Sequence, residues 1–520
     1  MADDRFGEAI RAPLRSTRAR LRFALVAPEA KENAVVSGAE SPISRKWQVT
    51  DDMSEPGAAI ATFEPGYWRL DGAFALPRPP GETAFEVGWW GAEISGADGA
   101  FASPQILTVD LAAPADCHRF GAAFDEASDE AAAEARFTAY NGSGEILLDE
   151  TVVCSEGFYA ATESGALGVK RLTVEVIRTR NPFRYARVAE ADFGVTLSFG
   201  PERIESLDMI QESDPDGKSF RYNSLDVTIT NNGDFDMFDP DGPARYLTAR
   251  QALEYRHGAS VFGSGGVSWV NCGVFYLTGW TVTAKTVELN CLGKAHVLDD
   301  RSAPDLSGTA LSAGEAAAAV VAAAGFSGII APALYESPPA EFRFGDISAR
   351  RALSAIAEAA GCLLFEERNG AIRFAEAEAP GAAASEIGFA DMPAAPSASM
   401  EKYANGVTLT EYGETKTETF YPAPWKDPSE PEYAEKLDVP AVYGTEFRGW
   451  LLARRFAALA RRLRIAARYR GDPRIAVGAR ARVRTSGNGR TADGTVYGHT
   501  LSYARGELSG EIKLIGGGAP

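Results

Sequence analysis

The chain has 520 residues, of which 45% are hydrophobic and 24% are charged, so it is long enough for roughly three to four folded domains. Its formal net charge of −19 argues against a free nucleic-acid binder and against docking on an anionic membrane, because both depend on clustered Lys and Arg. The 52 glycines and 29 prolines are typical of a turn-rich β protein.

The cysteines and the apolar runs of the sequence indicate the cellular compartment in which the chain folds. The five cysteines are widely spaced and never form a C-x-x-C pattern, which favours buried free thiols over a disulfide framework or a zinc site. The N-terminus lacks an apolar core of signal-peptide length, and no apolar run approaches the length of a membrane span. We therefore expect synthesis and folding in a cytoplasm.

Strands are predicted throughout the N-terminal part. Residues 1–43 hold one strand at 19–26, where basic and apolar residues alternate at first. Residues 44–198 contain short apolar segments about every ten residues, separated by turn signals such as Asn141-Gly142. This spacing predicts a β-sandwich or jelly roll.

Four aromatic residues near the start of this region are candidates for sugar binding: Tyr67, Trp68, Trp89 and Trp90. Aromatic rings can stack on sugar rings, but aromatic residues on strands more often belong to a core, and both interpretations stay open. Asp71, Asp98 and Asp192 are candidate calcium ligands. Because no dense loop of oxygen ligands is present, we assign no metal site.

Residues 199–300 carry a strong strand pattern. Apolar and polar residues alternate over 225–230, which predicts a half-buried strand that ends at the Asn231-Asn232-Gly233 turn. The acidic run at 234–241 resembles a calcium loop only faintly. We interpret it as turn structure, with one turn predicted at 239–242. If residues 19–26 pair with this sheet, the region 44–198 is an insertion in a β domain.

Residues 301–394 change to a helical period. An S-x-x-E capping box that starts at Ser312 precedes an Ala- and Val-rich helix. A second helix is predicted over 348–360, and two strands follow around an R-N-G turn at 368–370. Residues 381–400 are rich in Ala, Pro and Ser and are predicted to be a linker.

Residues 395–520 return to strands but include the longest predicted helix, at 446–470. Its apolar residues form one stripe, and arginines recur every seven residues from Arg454 to Arg468. Three interpretations compete: a solvated or subunit-facing cationic face paired with acidic residues, binding to a membrane surface, and contact with DNA. The first is favoured because the rest of the chain is acidic. A hairpin turn is predicted at 487–489.

The sequence shows no catalytic signature. Its four histidines are far apart and fit no metal-binding pattern: His118, His257, His296 and His499. It has no G-x-S-x-G, no phosphate-binding loop and no dinucleotide fingerprint after a strand. We therefore assign no catalytic, cofactor-binding or metal-ligating residue and expect no enzymatic activity.

The order of these segments resembles a known family. The strand and Asn-rich turn at 221–233 are followed by F-D-P-D-G at 238–242, G-V-F-Y-L at 273–277 and L-D-D at 298–300. This order resembles the hub proteins at the distal end of phage tails and of phage-tail-like particles.

Three further stretches carry the resemblance. The helix with the G-C-x-L hairpin at 361–370 recurs in that family. The segment from Gly471 to Gly478 resembles the lead into the last barrel of tail hubs, although Ala479 stands where an Asp is usual. The E-x-x-x-W-x-L-D-G stretch at 64–72 is similar to the opening of a carbohydrate-binding-type jelly roll that such hubs often carry near the N-terminus.

The resemblance implies a mainly β fold with α+β segments. It comprises an N-terminal arm with the first strand of a tube-like β-barrel domain (1–43), a jelly-roll β-sandwich insertion (44–198) and the rest of that tube-like domain (199–300). A small α+β module with its linker (301–394) and a second tube-like domain with the Arg-rich helix (395–520) follow.

The resemblance also implies a function: a structural virion protein that forms a homotrimeric baseplate hub at the distal tail tip. It would adapt the sixfold tail tube to a threefold tip. Its implied partners are the distal tail protein ring, the tail-tube and tape-measure proteins, tip, spike or fibre proteins, and DNA in transit. No cofactor is implied, and the protein would be made in the host cytoplasm.

Two alternative functions stay open. One is an adhesin that binds host glycans through the jelly roll. The other is a cell-wall hydrolase, which in that family is usually an added C-terminal domain, and we expect this chain to lack it.

Overall fold

The computed structural model confirms a mainly β protein, with 49% of residues in strands and 15% in helices. It describes these residues: 5–26, 31, 33–54, 56, 59–68, 74–76, 86–154, 157–233, 235–236, 243–261, 267–326, 328–378, 381–401, 404–412, 417–421, 433–484 and 490–516. The chain forms two compact units, residues 1–205 with 228–291 and residues 206–227 with 292–520. No closed barrel is found among the described strands.

The helices and strands follow in chain order. The helices are α1 (Arg5–Arg11), α2 (Ala313–Ala323), α3 (Pro332–Tyr335), α4 (Ala349–Ala360) and α5 (Thr445–Leu459). The first strands are β1 (Arg15–Val26), β2 (Val35–Ser37), β3 (Trp89–Ile94), β4 (Ala100–Cys117), β5 (Gly121–Ala123), β6 (Ala132–Tyr140), β7 (Ile146–Val153), β8 (Tyr159–Ala161), β9 (Ala166–Thr179), β10 (Tyr185–Val188), β11 (Glu190–Asp192) and β12 (Gly194–Phe199).

The remaining strands complete the chain. They are β13 (Ile204–Glu212), β14 (Ser224–Thr230), β15 (Ala252–Val261), β16 (Ser268–Val282), β17 (Thr286–Leu292), β18 (Ala310–Leu311), β19 (Ile329–Ile330), β20 (Ala340–Phe342), β21 (Cys362–Glu366), β22 (Ile372–Glu376), β23 (Ser385–Ile387), β24 (Ser397–Met400), β25 (Gly406–Glu411), β26 (Thr417–Phe420), β27 (Ala434–Val439), β28 (Ala441–Val442), β29 (Leu463–Tyr469), β30 (Arg480–Arg484), β31 (Thr491–Ala504) and β32 (Glu507–Gly516).

In the first unit, β1 joins strands that are distant in sequence. It lies antiparallel to β12 on one side and to β15 on the other, and Leu21 is opposite both Phe199 and Tyr255. The sheet continues through β16 and β17. Leu21 and Phe23 are buried because alternate residues of a strand face the same side. The chain therefore leaves this sheet after β1 and returns to it at β12, so the residues between form an insertion.

The insertion is built from strands around one apolar core. A five-stranded sheet has the order β2-β4-β9-β6-β7, and two small sheets contain β11-β5-β8 and β10-β3. Residues of both kinds of sheet share the core, among them Leu107, Phe137, Ala122 and Val188. The Asn141 side chain accepts backbone N–H bonds inside the β6–β7 turn, as the turn signal predicted.

The second unit combines a sheet with a helical module. Its sheet has the order β13-β31-β32-β29-β24, with β30 beside β31. The predicted capping box at α2 is confirmed, because the Glu315 N–H donates to Ser312 Oγ and the Ser312 N–H donates to Glu315. Helix α4 ends at Gly361 in the left-handed conformation, and the predicted β21–β22 hairpin follows.

Two predictions in this unit are wrong. The helix predicted at 446–470 ends at Leu459, and residues 463–469 form β29, which pairs with β32 and β24. The sequence of β29 also alternates with period two, and pairing in the sheet prevailed over helical propensity. The predicted linker at 381–400 contains β23 and β24, which are paired with β30 and β29.

Some predicted features lie outside the described residues. These are residues 69–72 of the 64–72 stretch (Asp71 among them), the turn at 239–242 and the hairpin turn at 487–489. Among the described residues, no helix is both long and apolar enough to cross a membrane.

Candidate functional site

Two of the four aromatic residues predicted to bind sugar are core residues. Trp89 is 0% exposed and Trp90 is 1% exposed. Their indole N–H groups donate to the backbone oxygens of Ala39 and Val87 at 3.1 and 3.2 Å. Because both rings are enclosed and their polar atoms are satisfied, neither offers a face to a ligand in this structure.

The structure brings Tyr67 and Trp90 to one buried arginine. The guanidinium carbon of Arg187 lies 3.7 Å from the centroid of the Trp90 ring and 4.7 Å from that of Tyr67. Arg187 donates to Glu64 at 2.5 Å, to Asp125 at 3.0 Å and to the Tyr67 hydroxyl at 3.1 Å. Burial raises the pKa of Tyr67, and the nearby Arg187 charge offsets part of that rise. This cation–π contact fastens the loop at 62–67 to β10 within the insertion.

Tyr67 and Trp68 are the partly exposed members of the predicted set. The sequence did not single out Phe63, which is 98% exposed in the same loop. It also did not single out Phe183, which is 41% exposed at a φ of 60°, a conformation that bulky residues rarely adopt. Sugar binding stays a prediction, with Tyr67 and Trp68 as its accessible residues.

The candidate calcium ligands have other partners. Asp98 accepts the backbone N–H of Ala100 in an exposed turn. Asp192 is buried and accepts from Arg22, Lys31 and the Tyr159 hydroxyl. Within the described ranges, no group of three or more His, Cys, Asp or Glu side chains has a geometry that could hold a metal ion.

The histidines and cysteines have separate, mostly structural surroundings. His499 bonds Tyr469 at 2.7 Å, and burial together with Arg368 lowers its pKa to about 3, so the ring is neutral near neutral pH. His257 bonds Tyr255 at 2.8 Å. The five cysteines are buried free thiols, as predicted: Cys117, Cys154, Cys272, Cys291 and Cys362.

The arginines of the predicted long helix pair with acidic residues of their own unit. Arg455 is 2% exposed and donates to Glu435 at 2.6 and 3.0 Å. Burial alone would raise the pKa of Glu435, but Arg455 and Lys218 hold it below the usual value. Arg461 bonds Glu378, whose pKa it lowers. These pairs favour the first of the three interpretations of the arginine pattern.

A cavity of about 200 Å³ adjoins these pairs. Its lining residues carry five positive and three negative side chains: Lys218, Arg455, Arg461, Arg462, Arg464, Asp216, Glu401 and Glu435. Arg464 bonds Asp216, and Arg462 donates to the Glu401 backbone oxygen. The cavity lining is therefore net positive although the whole chain is acidic. Its charged residues come from positions that are far apart in the sequence.

Comparison with known proteins gives structural neighbours only. No protein-family model and no curated protein matches the chain. The tail protein from Neisseria meningitidis is 14% identical with a TM-score of 0.43, over 60% of this chain and 92% of that one. The 43 kDa tail protein of prophage MuSo2 from Shewanella oneidensis is 11% identical with a TM-score of 0.42, over 61% and 95% of the two chains.

A prophage tail protein from Listeria monocytogenes gives a similar result. It is 11% identical with a TM-score of 0.40, over 61% of this chain and 91% of that one. The chain is thus similar to phage tail and baseplate proteins, the class that its sequence resembles. At these identities and TM-scores the likeness concerns the fold and assigns no function.

Proposed function

We propose that this protein is a structural component of a phage tail or phage-tail-like particle, a baseplate hub at the distal end of the tail. One observation carries the proposal. Each of the two compact units contributes a run of five hydrogen-bonded, antiparallel strands, β12-β1-β15-β16-β17 in the first and β13-β31-β32-β29-β24 in the second. The resemblance of the sequence to tail hubs implies two such β domains in each subunit.

The symmetry of a tail explains why two domains are useful. Three subunits with two similar β domains each can present a pseudo-sixfold ring to a sixfold tail tube and a threefold face to the tip. The proposed partners are the distal tail protein ring, the tail-tube and tape-measure proteins and a tip or fibre protein. In this proposal the insertion, which leaves its sheet between β1 and β12, projects outward from the ring.

Charge supports a role as a conduit. The chain carries a net charge of −19. An acidic lumen repels DNA and lets it pass without sticking, because binding of phosphate needs Lys and Arg. An image of the assembled ring tests this role, and a lumen lined by Arg and Lys would contradict it.

The hub proposal is tested by the mass of the full chain in solution. Light scattering at several concentrations is expected to give three times the 55.4 kDa of one chain. A peptide tag placed in the exposed turn after Gly144 and decorated with an antibody fragment is expected to mark three outward points on a ring in negative stain. A monomer at every concentration, both alone and with tail-tube protein, would overturn the trimeric hub.

Glycan binding is the second candidate function, favoured by the exposure of Phe63 beside Tyr67 and Trp68. Glycan-array binding by the full chain is expected to fall at least about fivefold in Trp68→Ala, since a stacked ring contributes on the order of 1 kcal/mol or more. Trp47→Ala is the matched control, because Trp47 is 57% exposed elsewhere in the insertion. Equal binding by both variants, or none by the wild type, would remove this candidate.

A further inference from the structure

The contact between the insertion and the β1–β15 part of its own unit is polar and buried. Arg22 on β1 bonds Asp192 on β11. The hydroxyl of Ser54 donates to Glu254 on β15 at 2.5 Å, and Arg256 on β15 donates back to Ser54 at 2.8 Å. Buried charges of this kind are costly unless each one has a partner.

Lys31 lies among the carboxylates of this contact. Its ammonium bonds Glu190, Asp52 at 3.0 Å and Asp192 at 3.5 Å. Tyr276 on β16 also donates to Asp52, at 3.3 Å. One ammonium cannot neutralise three carboxylates, so the lysine leaves part of the negative charge uncompensated.

The whole contact carries more acids than bases. We call its seven acidic residues the carboxyl cluster: Asp51, Asp52, Glu86, Glu126, Glu190, Asp192 and Glu254. Four basic residues face it: Arg20, Arg22, Lys31 and Arg256. Fully ionised, the seven acidic and four basic residues named here, all of them described in the structure, would together carry a net charge of −3. Neutral groups also donate to it, among them the side chains of Ser54, Tyr159, Asn271 and Tyr276 and the backbone N–H of Met53.

Two carboxylate oxygens of the cluster have no hydrogen-bond partner among the described residues. They are Oε1 of Glu86 and Oε2 of Glu190. Glu86 is 4% exposed and Glu190 is 0% exposed, so water does not reach these oxygens freely. A buried carboxyl group with an unpaired oxygen is less costly when it carries a proton, because burial penalises the charged form.

We propose that the carboxyl cluster binds protons at Glu86 and Glu190, and that seating of the insertion on the β1–β15 strands is therefore proton-linked. Protonation removes the excess charge and lets the insertion seat firmly. Loss of the protons restores repulsion among the carboxylates and loosens the contact. The insertion thereby responds to the pH that surrounds the protein.

The pKa shifts agree in direction with this geometry. Burial and the neighbouring Asp51 raise the pKa of Glu86 well above 4.5. Burial also raises the pKa of Glu190, with Lys31 acting in the opposite direction and Asp51, Asp52 and Asp192 reinforcing the rise. A carboxyl whose pKa is raised on docking stabilises the docked state fully below about 4.5, and this stabilisation is lost as the pH rises through the raised pKa.

Hydrogen exchange of the full chain, corrected for the intrinsic pH dependence of exchange, measures this linkage. Opening of β11 relative to β6 is expected to increase up to about tenfold per pH unit for one linked proton, as the pH rises from about 4.5 through the raised pKa. In Glu86→Gln the amide stands in for the protonated carboxyl, and the increase is expected to become at least about threefold smaller. Glu190→Gln tests the second oxygen if the first variant does not fold.

The control is Glu288→Gln, because Glu288 is exposed on β17 of the same unit. This variant is expected to keep the full pH dependence. Identical pH dependence in wild type, Glu86→Gln and Glu190→Gln would overturn the proposal, as would opening that decreases with rising pH. Millimolar calcium chloride is a separate arm: if it closes β11 at high pH in the wild type, the two oxygens bind a metal ion and the proton assignment is wrong.

Discussion

Each unit holds an arginine whose side chain is almost completely buried, Arg187 in the first unit and Arg455 in the second, and the two sites differ in how the charge is matched. Arg187 in the first unit has two carboxylates, Glu64 and Asp125, and lies between two aromatic rings. Arg455 in the second unit has one carboxylate, Glu435, and donates to the backbone oxygens of Asp216 and Glu358 at 3.3 and 3.2 Å. Both side chains are 2% exposed.

The two sites differ in how exposed their carboxylates would be if the arginine were replaced. Glu64 and Asp125 are fully enclosed, so neither could regain water without its partner. Glu435 is 16% exposed and has Lys218 as a second partner at 3.2 Å. Equal burial of an arginine therefore does not imply an equal contribution to stability.

The largest effect is expected for Arg187→Met. This change leaves two buried carboxylates unpaired and removes the cation between the rings of Tyr67 and Trp90, so the free energy of unfolding is expected to fall by about 3–5 kcal/mol. Urea unfolding followed by tryptophan fluorescence measures it. Arg136→Met is the control, because the Arg136–Asp149 pair is exposed in the same unit. A loss below about 1 kcal/mol would contradict enclosure of the acids.

A smaller loss is expected for Arg455→Met. Glu435 can turn to water and keep Lys218, so we expect roughly 2 kcal/mol, measured by hydrogen exchange in α4 and α5. Part of this cost comes from the Asp216 backbone oxygen, which loses the Arg455 donor, whereas the Glu358 oxygen keeps the N–H of Gly361. A loss as large as that of Arg187→Met would show that partner exposure does not distinguish the two sites.

The Arg455 pair is also expected to respond to acid. Because the pKa of Glu435 is lowered in the folded protein, its contribution is present above about 4.5 and is lost as the pH falls through the lowered pKa. Thermal midpoints of wild type and Arg455→Met are therefore expected to converge in acid. A constant gap down to acid pH would mean that packing of the side chain, and not its charge, supplies the stability.

The smallest effect is expected for Arg461→Gln. Its partner Glu378 is 61% exposed, and exposed pairs contribute about 0–1 kcal/mol. Urea unfolding of this variant is expected to match the wild type within that range. A larger loss would mean that the cavity lined by Arg461 and Arg464 contributes to stability beyond its individual pairs.

Local signals in the sequence predicted local structure well. The capping box at Ser312, the turn at Asn141 and the β21–β22 hairpin depend on residues within a few positions of one another, and all are present. The helix predicted at 446–470 was only half right. The apolar residues at 463–469 fit both the period of two of a strand and the apolar stripe of a helix. Only pairing with β24 and β32 decides in favour of the strand.

The candidate site was predicted only in part. A Trp on a strand can face a ligand or a core, and neighbouring residues do not distinguish the two, so Trp89 and Trp90 were named although both are buried. The exposure of Phe63 and the stack on Arg187 were missed because Arg187 lies 120 positions from Tyr67. The sequence holds no signal for a contact at that separation.

The sequence by itself determined the strand-rich class, the buried free cysteines and the caps and turns, because these follow from composition and from residues close together in the chain. Only the tertiary structure decided that β1 pairs with both β12 and β15, and that Lys31 meets Glu190 and Asp192. These contacts join residues more than 150 positions apart. Their energies come from burial and charge matching that exist only after the chain has folded.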